Sequence, residues 1–115
     1  MKDSILLTKS KAFALRIVRL YKYLRERKES VIAKQMLRSG TSIGANIAES
    51  RYAQSKADFI AKLQIALKEA AETQYWLELL CDAELVDGDK AFASIFADCT
   101  ELIKLLTSSV KTAKT

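Results

Sequence analysis

Apolar residues recur along this chain at helical spacing, four times over. Taking about 100° per residue, Phe13, Ile17, Leu20, Tyr21 and Leu24 share one face of a first segment, and Lys11, Arg16, Arg19, Lys22 and Arg25 share the other. The spacing predicts a basic amphipathic helix from roughly Lys9 to Lys28, with Leu15 and Val18 set inside the basic face. A second helix is predicted from Ser30, a favourable N-cap residue, to about Tyr52. Its core stripe is Ile32, Met36, Gly40, Ile43 and Ile47, and its other face is Gln35, Arg38, Ser39, Ser42, Asn46 and Glu49. Ser and Asn are poor helix formers because their side chains bond to nearby backbone, so their clustering predicts hydrogen bonds to another helix.

Ser55-Lys56-Ala57-Asp58 reads as a capping box with Asp in place of Glu or Gln, opening a third helix that runs to about Ala83. Phe59, Leu63, Ala66, Ala70, Leu77 and Cys81 form its expected core stripe. Ile65, Trp76 and Leu79 lie on the reverse side with Glu69 and Glu72, and a second apolar face carrying a Trp predicts an oligomer. After a turn at Leu85–Asp89, Phe92, Ile95, Phe96, Cys99, Leu102, Ile103, Leu106 and Val110 mark a fourth helix, with Lys111 and Lys114 where a helix C-terminus favours cations. Four helices with short connections predict one domain over residues 1–115, an all-α, antiparallel up-down-up-down four-helix bundle.

Composition agrees: the sequence has no Pro and three Gly, little turn chemistry for a β-fold. Two of those glycines, Gly40 and Gly44, sit inside the second helix, where each costs about 1 kcal/mol relative to Ala. With Ala48 one turn on, they predict a groove that another backbone approaches closely. Packing inside the subunit is one reading of it. The other has the stripe Arg38, Ser42, Asn46 and Glu49 docking on Glu69, Glu72 and Trp76, within the chain or across a subunit boundary, with Arg38 paired to Glu69 or Glu72.

Charge is polarised. Residues 1–57 carry thirteen Lys/Arg against four Asp/Glu, a balance of +9, and residues 58–115 carry six against ten, a balance of −4, which together return the net +5. The basic half is a candidate for contact with a polyanion; solubility and pairing between subunits are the alternatives. Lys34, Arg51 and Lys56 extend the first helix's cations, and Tyr23 among them offers a ring for an unpaired base. No helix-turn-helix or zinc-finger pattern is present, so binding is expected to be directed at the backbone of RNA or DNA.

Catalysis is disfavoured. His is absent, and Glu69 with Glu72 is the only notable acid pair. Gly40-Thr41-Ser42-Ile43-Gly44 has helical surroundings, unlike a phosphate-binding loop, which follows a strand. No metal site and no cofactor are expected, since Cys81 and Cys99 lack ligand spacing. Their helical levels differ by roughly 9 Å, too far for a disulfide, so they read as reduced core thiols of a cytoplasmic protein. The run Met1–Thr8 lacks a signal-peptide core, and nothing approaches a membrane span.

Phe13, Leu20, Tyr21 and Leu24, then Leu37-Arg38-Ser39, Thr41-Ser42-Ile43 and Ala45-Asn46-Ile47-Ala48-Glu49, then Asp58-Phe59, Ala66-Leu67-Lys68-Glu69-Ala70, Glu72-Thr73 and Tyr75-Trp76-Leu77, form a combination specific to one family. On these residues the chain resembles, over nearly its whole length, the small four-helix bundle proteins encoded in intervening sequences of bacterial large-subunit ribosomal RNA genes. Ser50 stands where that family often has Gly. The family is similar in turn to the accessory variability determinant of diversity-generating retroelements. That protein forms a barrel-like homopentamer and works with a reverse transcriptase and nucleic acid. The resemblance implies a homopentamer of four-helix bundles with a basic surface, and it implies no reaction. The expectation is therefore a non-enzymatic accessory protein binding nucleic acid through Lys11, Arg16, Arg19, Lys22, Arg25, Arg51 and Lys56. The alternative is a protein–protein assembly module with no nucleic-acid role.

Overall fold

The computed structural model describes residues 2–115, with side chains from Ile5 onward. The first four side chains, which open the run read as lacking an export signal, lie outside the described residues. Four helices make the fold: α1 Lys2–Glu26, α2 Val31–Ser50, α3 Lys56–Asp82 and α4 Lys90–Lys114. Among the described residues there is no strand, and no helix is long and apolar enough to cross a membrane. α1 packs on α2, α2 on α3 and α3 on α4, and α4 closes on α1. The result is a rod 44 Å long and 21 by 19 Å across.

The buried positions follow a repeat of alternating three and four residues. In α2 the seam is Ala33, Met36, Gly40, Ile43, Ile47 and Ser50, with Ser39 buried beside it; in α3 it is Leu63, Ala66, Ala70, Thr73, Leu77 and Leu80. In α4, Phe92, Ile95, Cys99, Leu102 and Leu106 repeat the spacing. This is a period of 3.5, and a seam of that period drifts about 20° per heptad relative to a straight helix. The drift explains two departures from the expected stripes. Ala33 takes the core position assigned to Ile32, which is half-buried, and Leu80 takes that of Cys81, which is exposed. Cys81 is therefore not a core thiol; Cys99 is. Phe59, at the start of α3, is only half-buried.

α1 begins a full turn and more before Lys9, because Leu6 and Ser10 continue the buried seam of Phe13, Ile17 and Leu24. Ser10 suits a core position for a local reason: it faces Gly44, whose missing side chain leaves it room, and its hydroxyl donates to the Leu7 carbonyl at 3.1 Å. One turn away, a Cβ on Gly40 would stand 2.9 Å from Ile17 Cγ2. The close approach is thus made by α1 within the same chain.

The helix ends are set by local chemistry. Ser55 Oγ accepts from the Asp58 amide at 3.0 Å, and Asp58 Oδ2 accepts from the Gln54 amide at 3.1 Å, a variant of the capping box in which the returning bond lands one residue before the cap. Asp89 caps α4 by accepting from the Phe92 amide at 2.9 Å. At α2 the expected Ser30 cap makes no side-chain bond; Glu29 Oε2 instead accepts from the Ala33 amide at 3.1 Å. The backbone at Ser30, with ψ −24, is not the extended one that aims a capping hydroxyl, whereas the longer Glu reaches the amide and suits the positive helix end. α1 and α3 both close through a left-handed residue, Lys28 at φ 66 and Glu84 at φ 59, with Glu29 N bonded to Leu24 O and Leu85 N to Leu80 O.

Candidate nucleic-acid interface

The core seam of α1 turns its opposite face outward, and the basic residues there are placed by the same periodicity. Lys11, Arg19, Lys22 and Arg25 are all exposed, with Leu15 half-exposed and Val18 half-buried among them. None of the four cations pairs with a carboxylate among the described residues. Arg25 lies over the Tyr21 ring at 5.7 Å and Arg27 over the Tyr23 ring at 4.3 Å, which steadies two guanidinium groups without neutralising them.

Arg16 does not join this group. It sits at the α1–α4 boundary, where Nη1 bonds Asp98 Oδ2 at 2.7 Å and Ser94 Oγ at 2.9 Å, and Nη2 reaches the Ala91 carbonyl at 3.4 Å. Lys9 pairs with Glu101 on the same boundary. Both are consumed in joining helices, a role invisible while α4 is a separate stretch of sequence. Arg51 is exposed in the α2–α3 connection and Lys56 is exposed at the first position of α3, so these two do not belong to the α1 face.

The polar stripe of α2 divides. Arg38 reaches α3, with Nη1 3.5 Å from Glu69 Oε2 and Nη2 bonded to Glu72 Oε2, and the same Glu72 oxygen accepts from Trp76 Nε1 at 2.9 Å. Trp76 also meets Tyr75 edge to face, centroids 5.1 Å apart. The Arg38 side chain is 50% exposed, against 18% for Glu69 and 33% for Glu72, so the cluster is a half-solvated clasp and its loss should cost far less than a buried pair would. Glu49 bonds Lys62 of α3 at 2.9 Å. That hydrogen bond and the charge of Glu49 raise the Lys62 pKa. Ser42 and Asn46, expected to bond another helix, bond back along α2, to the carbonyls of Arg38 at 2.7 Å and Ser42 at 2.9 Å. Facing solvent-side positions, they find their nearest acceptors one turn below.

Another hydrogen bond between α2 and α3 lies deeper. Thr73, fully buried, reaches Ser39 Oγ at 2.8 Å and the Glu69 carbonyl at 2.7 Å, and Ser39 is fully buried as well. Ser39 is thus a core residue and not part of the outer face expected for it; the signal in the sequence that points it inward is Thr73 at a heptad position of α3. Cys99 is buried against α3, donating to the Ala70 carbonyl at 3.3 Å, and burial pushes its thiol pKa up to about 12. Among the described residues, no cluster of Cys, Asp and Glu is arranged to hold a metal ion.

The family model described as 23S rRNA-intervening sequence protein matches residues 2–108. A crystal structure of a protein of unknown function from the S23 ribosomal protein family of Bacteroides thetaiotaomicron VPI-5482 is similar at 59% identity and a TM-score of 0.92. The alignment covers 96% of this chain and 99% of that one. No curated protein matches the chain significantly.

Proposed function

Because the chain belongs to the 23S rRNA-intervening sequence protein family, we propose that it is a non-enzymatic, homo-oligomeric accessory protein that binds nucleic acid through a basic surface, without strong sequence specificity. The observation that carries this reading is the outer face of α1, where Lys11, Arg19, Lys22 and Arg25 stand exposed and unpaired among the described residues while Asp98, Glu101, Glu69 and Glu72 are engaged with other cations. Such a face meets phosphates and releases their counterions. The reading includes an antiparallel up-down-up-down order, supported by Gly40 meeting Ile17 while Gly44 meets Ser10, assembly as a pentamer, and a cytoplasmic setting in which Cys81 and Cys99 stay as free thiols. A reverse transcriptase or another protein is the proposed macromolecular partner.

Anisotropy titration with labelled RNA, DNA and a hybrid tests it. Log affinity should fall steeply and linearly with log salt, and reversal of Lys11, Arg19, Lys22 and Arg25 to Glu should abolish binding with the helical content intact. Arg16 is left out of that set because its reversal would set a carboxylate against Asp98. Absence of binding at low salt would defeat the reading. A protein–protein assembly module is the second reading, favoured by Leu15 at 50%, Ile65 at 42% and Tyr75 at 56% exposure; it predicts an oligomer whose mass ignores nucleic acid and whose partner affinity changes little with salt.

A further inference from the structure

The connection from α2 to α3 displays one side chain that the fold does not use. Tyr52 is 84% exposed, more than any other large hydrophobic residue described. The backbone beneath it is ordered: Tyr52 N donates to the Glu49 carbonyl at 3.0 Å and Ala53 N to the Ser50 carbonyl at 3.2 Å. A rigid turn therefore holds an aromatic ring out in water.

Its surroundings are cationic. Arg51 precedes it and Lys56 opens α3, both exposed. The last turn of α4 reaches the same end, since Ser50 and Phe59 line one cavity with Thr112 and Ala113, which brings Lys111 and Lys114 to that end too. Among the described residues the nearby carboxylate side chains are engaged, Glu49 with Lys62 at 2.9 Å and Asp58 with the Gln54 amide at 3.1 Å. A bare ring among unneutralised cations matches a ligand that presents a flat π-face between negative charges.

The geometry points to a grip for an unpaired nucleotide at this end of the bundle, Tyr52 stacking on the base while Arg51 and Lys56 hold the flanking phosphates. This rests on the nucleic-acid reading above and narrows it to strands with accessible base faces, because a duplex keeps its base faces inside the stack. Stacking tolerates any base, so the grip is indifferent to sequence.

The test is an anisotropy titration of the full chain with a labelled oligoadenylate of about 15 nucleotides and a DNA duplex of equal length. Tyr52→Ala should weaken oligoadenylate binding about tenfold and leave the duplex within about twofold, with the salt slope unchanged; Tyr52→Phe should restore it. Arg51→Ala should lower the slope by about one. Oligoadenylate affinity unchanged in Tyr52→Ala overturns the stacking role while duplex binding keeps the broader reading intact. A wild-type chain that binds neither probe overturns both. A fall in light-scattering mass on Tyr52→Ala overturns the grip and assigns the ring to a subunit contact.

Discussion

The two flanks of α2 meet their neighbours by opposite means. Toward α1 the contact is made by absence: Gly40 admits Ile17 and Gly44 admits Ser10, so the helices approach on shape alone. Toward α3 it is made by bonds: buried Thr73 on Ser39, and outside them Arg38 on Glu69 and Glu72 and Lys62 on Glu49. Shape complementarity tolerates no added volume and is indifferent to salt and pH. Hydrogen bonds and ion pairs tolerate some displacement but punish an unmatched partner, and they respond to solvent in proportion to exposure. One helix thus carries a steric specification on one side and a chemical one on the other.

The steric flank should show the largest response. Gly40→Val is expected to destabilise by about 2–3 kcal/mol in urea denaturation, because Ile17 is branched at the contact and cannot swing clear. Ile17→Ala should recover part of that loss in the double variant, and simple additivity would show that the two do not meet as described. Next comes the buried hydroxyl pair. Thr73→Val leaves Ser39 with only the Met36 carbonyl at 3.4 Å, and should cost about 1–2 kcal/mol. Removing both hydroxyls with Ser39→Ala should return most of it; equal single and double losses would break the argument from unmatched partners.

Arg38→Ala should cost about 0.5–1 kcal/mol, given its half-exposure, and the difference from wild type should shrink in high salt. A loss of several kcal/mol would mean that a subunit contact buries the clasp. Gly44→Ala sharpens the contrast with Gly40: a Cβ there would lie 3.3 Å from Ser10 Oγ, a small group able to give way, and the gain in helix propensity offsets the crowding, so stability should change by less than about 0.5 kcal/mol. The smallest effect concerns Lys62. Its pKa is raised above the ordinary 10.5, so above that value the unfolded chain loses the proton first and stability falls as pH climbs. The stability difference between wild type and Lys62→Met should be constant below about pH 10 and vanish as the folded-state pKa is passed; a difference persisting beyond it would assign the effect to packing of the Lys stem.

The number of helices, their approximate bounds and most of the core were legible in the chain, since each is a matter of local periodicity and capping. Phe13, Ile17, Met36, Ile43, Ile47, Leu63, Leu77, Leu102 and Leu106 are buried, and the Ser55–Asp58 box opens α3. The basic face of α1 was legible for the same reason, being the complement of its core seam. The departures in the core stripes and among the paired cations share one cause: a straight helix of 3.6 residues per turn says nothing of the neighbour that its seam follows. Once the helices pack, a 3.5 period selects Ala33 and Leu80 over Ile32 and Cys81, while contacts between helices draw Ser10 inward against Gly44 and Ser39 against Thr73, and join Arg16 to Asp98 across most of the chain's length. Which cations stay free for a ligand, and which are spent holding helices together, depends on contacts between residues far apart in sequence, and one-dimensional periodicity carries no information about those.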